Sequence, residues 1–176
     1  CTTPPPLAEQ TLDLGDTLLT ARLPTSGNTW PRLSARRQKA KHQYRYWLEH
    51  LAWNALGTGG DSHIHYADGD EQLRALPAED AAEQLRTWLA VRRSAQQQLW
   101  LAPIELMPAY LDNLGKKDGA DKNRLLIHKW IDDDQNKADS GELWRHLWRG
   151  NEAILADHIA AALTTYAPLL QPWLDY

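Results

Sequence analysis

The chain has 176 residues, is 43% hydrophobic and 24% charged, and carries a formal net charge of −4. This is an ordinary composition for a soluble globular chain, long enough for one domain with a real core. The acidic balance argues against a dedicated nucleic-acid binder, the single cysteine (Cys1) excludes an intrachain disulfide or multi-thiolate metal site, and no apolar run approaches a membrane span.

The start, CTTPPP, has neither the charged nor the apolar region of a signal peptide. With no initiator Met and three consecutive prolines, residues 1–9 read as an extended linker, and the chain as a piece of a longer protein. A single domain is expected over residues 10–176. A first strand is expected from Gln10 to Leu14, with a turn at Gly15 and Asp16. Thr17 to Leu23 then reads as a strand, Pro24 to Asn28 as a turn, and Thr29 to Leu33 as the returning strand, with Pro31 favouring an edge or a strand end.

Next comes the densest basic stretch. Arg32, Arg36, Arg37, Lys39, Lys41 and Arg45 fall within 14 residues. A helix over Arg36–Leu56 would place Tyr44, Trp47, Leu48, Leu51, Ala52 and Ala55 on one face. Its cations would then crowd the end where the helix dipole favours anions. Two readings fit: contact with phosphate or an acidic partner, or a solvated face paired with local carboxylates.

Gly57 suits the residue just past that helix. Ser62 to Ala67 and Glu71 to Leu76 read as short strands. A helix is expected from Glu79 to Gln98, acidic at its start and with Arg92 and Arg93 towards its end, along a stripe of Ala82, Leu85, Trp88, Leu89 and Ala95. Leu99 to Ile104 reads as an apolar strand, Glu105 to Leu114 and Lys122 to Ile131 as short helices, and Asp132 to Gly141 as a polar loop. Glu142 to Arg149 sets Leu143 with Leu147, and Trp144 with Trp148, at i, i+4. A last helix is expected from Glu152 to Ala167, stopped or kinked by Pro168. The fold class is mixed α/β, a small sheet with several packed helices.

Motifs for chemistry are sparse. His63-x-His65 with Asp61 could begin a metal site, though a solvent-facing strand edge explains it as well. Asp132, Asp133, Asp134 and Asn136 imitate a calcium loop, but Lys137 and Leu143 stand where Gly and a bidentate Glu are required. No G-x-S-x-G elbow, phosphate-binding P-loop or G-x-G-x-x-G occurs. A PD-(D/E)xK nuclease needs carboxylates on two adjoining strands to hold Mg²⁺. No acidic residue lies between Asp16 and Glu49, so the expected hairpin Thr17–Leu33 lacks them.

The succession of strand, turn, strand and LSARRQKAKHQYRYWLEHLAWNAL resembles the C-terminal domain of RecC, the gamma subunit of exodeoxyribonuclease V (RecBCD). The positions that carry the likeness are Lys39, Lys41, Arg45, Trp47, Leu48, His50 and Leu51, followed by the LWLAPI segment, Lys129–Trp130, Leu147 to Gly150 and Pro168 to Leu170. The resemblance implies a PD-(D/E)xK (restriction-endonuclease-like) fold whose active site is lost, in agreement with the missing carboxylates. It implies a cytoplasmic, non-catalytic scaffold and DNA-handling domain without a cofactor of its own, docked to the RecB and RecD subunits in double-strand break repair. On that reading Arg32, Arg36, Arg37, Lys39, Lys41 and Arg45 are candidate DNA contacts, and Trp144, Trp148 and Trp173 candidate partner anchors. The short turn PTSGN argues against an extended strand-separating hairpin. Two alternatives remain: an Mg-dependent nuclease using Asp13 or Asp16 with Glu49, and an unrelated protein–protein adaptor.

Overall fold

The computed structural model describes residues 5–97, 103–133 and 152–174, apart from the side chains of Ala95, 152–153 and 170–174. The chain forms two compact units that divide after Gln97. The first contains strands β1 (Leu7–Asp13), β2 (Leu18–Pro24) and β3 (Thr29–Leu33), helix α1 (Ala40–Ala55), strands β4 (Asp61–His65) and β5 (Asp70–Leu73), and helix α2 (Ala78–Gln97). The second contains a 3₁₀ turn (Ile104–Leu106) and helices α3 (Met107–Leu114), α4 (Gly119–Asp132) and α5 (Glu152–Leu174). The mixed α/β class expected from the sequence is what the chain adopts.

The strand partners differ from expectation. β2 pairs antiparallel with β1, from Leu7↔Pro24 to Asp13↔Leu18, and not with Thr29–Leu33. The turn chemistry explains the choice. Gly15, at φ 96°, takes the first central position of a two-residue turn, the Leu14 N–H donates to the Thr17 carbonyl at 3.0 Å, and Asp13 Oδ1 accepts from the Gly15 N–H at 2.8 Å. This is a tighter hairpin signal than Pro24–Asn28 provides. β1 accordingly begins at Leu7, three residues ahead of the expected Gln10.

β3 instead enters a second sheet of order β3-β4-β5, parallel to β4, with β4 antiparallel to β5. Parallel neighbours need a crossover, and α1 supplies it. Alternation sets the faces: Trp30 and Arg32 on β3, Ser62 and Ile64 on β4, and Leu73 on β5 point towards α1. His63 and His65 point the other way. They lie on the central strand and not on an edge.

α1 is shorter at its start and more deeply sunk than its stripe predicts. It begins at Ala40 because residues 34–39 are bonded elsewhere. The Ser34 N–H donates to the His65 carbonyl (2.8 Å), the Ala67 N–H to the Arg36 carbonyl (3.0 Å) and the Gln38 N–H to Asp68 Oδ1 (2.7 Å). Its C-terminal half is buried all round: Trp47, His50, Leu51, Ala52, Trp53 and Asn54 are all inside. One side meets α2, where Tyr44 and Trp88 lie 5.0 Å apart, and another meets the sheet, where Trp53 sits edge-on to Trp30 at 5.6 Å.

A polar node lies inside this packing. His50 is wholly buried; its Nε2 is 2.8 Å from the Arg74 carbonyl and its Nδ1 is 2.8 Å from Ser62 Oγ. A carbonyl only accepts, so Nε2 carries the proton and Nδ1 accepts from the Ser62 hydroxyl. One turn on, Asn54 donates to the carbonyls of His50 (3.0 Å) and Gly60 (3.3 Å) and accepts from the Leu76 N–H (3.0 Å). Trp47 stacks on the His50 ring at 5.8 Å. Two side chains of α1 thereby tie the helix to β4, to the approach to β4 and to the segment leaving β5. Gly60 is required by close approach, since a Cβ there would fall 2.2 Å from the Asn28 carbonyl oxygen.

In the second unit α3, α4 and α5 pack on one another through Met107, Leu111, Ile127, Ile131, Ile159 and Leu163. Asn123 donates to the Tyr110 carbonyl at 3.1 Å and accepts from Asn113 at 3.0 Å, and the Tyr110 hydroxyl meets Thr164 Oγ1 at 2.8 Å. α5 does not stop at Pro168. Its buried stripe, Ile159, Ala162, Leu163 and Ala167, runs up to the proline, and the helix continues to Leu174. The expected strand at Leu99–Ile104 lies outside the described residues except for Ile104, which opens the 3₁₀ turn. The expected helix Glu142–Arg149 lies wholly outside them.

Burial pushes His50 down from 6.5 to about 4, against the opposing pull of the Arg74 carbonyl and the Asp61 charge. Between those values the unfolded chain binds the extra proton. Stability is therefore full above about pH 6.5 and falls as the pH drops, by up to about 3 kcal/mol near pH 4. Urea unfolding at about pH 5 and about pH 7.5 should show this slope, and His50→Gln should remove most of it. A flat profile in the unmodified protein would mean that the ring is not held as described. Gly60→Ala should lower stability by about 1–3 kcal/mol, read as a shift in the same unfolding midpoint, because the Asn28 carbonyl must move.

Candidate nucleic-acid interface

The basic stretch divides into two environments. Arg36, Arg37 and Lys39 lie on the segment between β3 and α1, and Lys41 in the first turn of the helix; all four side chains are exposed. Among the described residues none of these four is in an ion pair. The backbone beneath them is fixed by the bonds from Ser34, Ala67 and Gln38 to and from the β4–β5 turn. The cations are thus carried on a tethered platform, not on a loose arm. Lys39 is the N-cap, no side chain caps the helix, and its first turn holds no acid. Negative charge that a helix start favours is therefore not supplied by α1 itself.

His42, half-buried on the same first turn, registers this field. Burial lowers its affinity for a proton first, and the charges of Arg36, Lys41, Lys39 and Arg45 lower it further. Four cations therefore lie near enough to act on one imidazole. Arg45 is exposed but already engaged: its Nε is 3.0 Å from Glu49 Oε1, and this pairing holds the guanidinium charge firmly.

Arg32 belongs to the interior side of the sheet. Its guanidinium carbon lies 4.3 Å from the ring centres of both Trp30 and Tyr46, and Nη1 is paired with Glu49 Oε2. The two side chains are only 19% and 26% exposed. Arg32 therefore ties β3 to α1 and is sterically poorly placed for phosphate. The spacing Trp30-x-Arg32 on a strand was the available signal, since i and i+2 share a face. Tyr66 sits edge-on to Tyr46 at 5.9 Å, and its hydroxyl donates to Glu71 at 2.7 Å. Burial, aided by Glu71, pushes that phenol up.

The other candidates are dispersed. His65 pairs with Asp70 at 2.9 Å across the sheet, and Asp61 accepts from the Ala75 N–H (2.8 Å) and from Gln72 (3.2 Å). Among the described residues no three His, Cys, Asp or Glu side chains gather as a metal site would need. Asp13 caps its own turn, Asp16 is 2.5 Å from Arg93, and Glu49 serves Arg32 and Arg45. The carboxylates proposed for a displaced nuclease site are thus each held by separate partners. α4 extends through Asp132, and residues 134–141 of the expected polar loop lie outside the described residues, as do Trp144 and Trp148. Trp173 falls in the last turn of α5, with its side chain outside them.

These features define a mixed α/β domain with a strand–helix–strand crossover, carrying a cationic segment at the entrance to the crossover helix and buried polar anchors within it. The family model described as the RecC C-terminal domain matches residues 2–115, well over half of the chain, and spans every element of the first unit. The chain belongs to the RecC C-terminal domain family. No curated protein matches it. Family membership makes this a RecBCD-related subunit domain, in the setting of DNA repair and recombination. No helix among the described residues is long and apolar enough to cross a membrane.

Removing Glu49 should strand a half-buried guanidinium. Glu49→Ala is expected to lower stability by about 1–3 kcal/mol, and Arg32→Lys to lower it measurably through lost stacking on Trp30 and Tyr46. A double-mutant cycle on thermal unfolding should show coupling between the two positions; strictly additive effects would contradict the pairing.

Proposed function

We propose that this chain is a non-catalytic scaffold and DNA-handling domain of a RecBCD-type helicase–nuclease. In this reading it docks the RecB and RecD subunits in the cytoplasm during double-strand break repair. Arg36, Arg37, Lys39 and Lys41 meet DNA phosphates, with Arg45 at the rim, and no cofactor takes part. Trp144, Trp148 and Trp173 are the proposed partner anchors. The fold is proposed to be an inactivated relative of the PD-(D/E)xK nucleases. The crossover from β3 through α1 to β4 is compatible with that kinship.

The observation that carries the reading is the platform itself. Four exposed cations, in no ion pair among the described residues and on a backbone held in place by hydrogen bonds, lie within the residues the family model matches. Such an array attracts a polyanion and releases counterions from it. The overall charge of −4 argues against a dedicated nucleic-acid binder but leaves room for a local contact, because the field of such a cluster is short-ranged. Arg32, held by Trp30, Tyr46 and Glu49, is left out of the proposed contact set.

Fluorescence anisotropy with a labelled single-stranded oligonucleotide tests the phosphate contact. Binding should weaken as salt rises, and Lys41→Gln or Arg37→Gln should each reduce the logarithmic salt slope by about 0.7. No binding at about 50 mM salt would defeat the DNA reading. Capture of RecB or RecD by the same chain tests the scaffold, and failure to capture either would defeat it. Mg-dependent cleavage abolished by Asp16→Asn or Glu49→Gln would replace the proposal with the nuclease alternative.

A further inference from the structure

The basic platform holds one group that changes charge near neutral pH. His42 lies half-buried on the first turn of α1, beside Lys41, three residues after Lys39 and three before Arg45. Arg36 lies on the segment ahead of the helix, and its charge adds to theirs at the ring. The charges of Arg36, Lys41, Lys39 and Arg45 all oppose a proton on the ring. The carboxylates on the surrounding elements face other partners. Glu49 on α1 is held by Arg32 and Arg45, Asp68 in the β4–β5 turn accepts from the Gln38 N–H, and Glu71 on β5 accepts from Tyr66 and Gln43.

We infer that binding of a phosphate polyanion to this platform is coupled to proton uptake by His42, so that the platform holds its ligand more tightly at mildly acidic pH. This rests on the phosphate contact proposed above and deepens it. The cations that attract the ligand are the same ones that oppose a charge on the imidazole. A phosphate chain laid across them cancels their field at the ring and adds an attraction of its own. The protonated form then gains relative to the neutral one. By linkage, whatever favours the proton on His42 favours the ligand to the same degree. The coupling needs no conformational change, because the platform backbone is already fixed.

The test uses the 176-residue chain, a labelled oligothymidylate and constant ionic strength, between about pH 5.5 and about pH 8. The lower limit stays above the pH at which His50 charges in the folded chain. Affinity should rise about three- to tenfold across the range beyond the rise shown by His42→Gln, whose side chain is neutral throughout. The His42 ring, followed by NMR, should titrate at a higher pH with the oligonucleotide bound than without it. Binding with the same pH slope in His42→Gln, or a ring whose titration does not move, overturns this inference and leaves the phosphate contact standing. Absence of binding at every pH overturns both.

Discussion

The first unit depends on burying a histidine without charging it. His50 sits at the middle of α1, where the helix is enclosed on all sides, and a neutral imidazole can have both nitrogens satisfied there only if one donates and the other accepts. The Arg74 carbonyl and the Ser62 hydroxyl provide that pair of opposite roles. Asn54 repeats the arrangement one turn later. Each of these bonds contributes modestly on its own, but leaving any one of them unmade inside the core is expensive. They therefore act as fixed points: the helix can dock on the sheet in one register and at one depth. The apolar contacts of Trp30, Trp53, Ile64 and Leu73 then complete packing around positions already chosen.

The platform inherits its stiffness from that docking. With α1 fixed against β4 and β5, the segment before it lies next to the β4–β5 turn, and the backbone bonds at Ser34, Gln38 and Ala67 follow. The side chains of Arg36, Arg37, Lys39 and Lys41 are left outside, in no ion pair among the described residues. Arg32 and Arg45 are close to them in sequence but are drawn to Glu49, one from the strand and one from the helix. One carboxylate thus separates the cations that hold the fold from those that are available to a partner.

Much of this was legible in the sequence, and the parts that were not share a cause. Periodicity and turn residues located β2, β3, β4 and α2 to within a residue or two at most ends, and the cationic cluster was plain. Pairing was not legible, because a strand pattern specifies faces and not neighbours. Thr17–Leu23 and Thr29–Leu33 follow each other in sequence, yet β2 turns back to β1 through Gly15, and β3 crosses over to β4. A helix start at Arg36 looked sound until tertiary bonds claimed the backbone of residues 34–39. The pattern WLEHLAWNAL, with Glu49 as its one charged residue, did hold a sign of all-round burial. The stripe reading found Trp47 and Leu51 and passed over Trp53 and Asn54, because a helix enclosed on every side has no single face to count. Pro168 was read by its local chemistry, which the burial of α5 outweighs.

The parallel pairing of β3 with β4 also orders events in time. No turn can join two strands that run the same way, so the chain must travel through residues 34–60 before Thr29–Leu33 can lie beside Asp61–His65. The β1–β2 hairpin and the turns of α1 close over short distances, whereas this sheet waits for the helix that lies between its first two strands. During synthesis, β3 leaves the ribosome with its hydrogen-bonding edge unmatched and stays so until β4 follows.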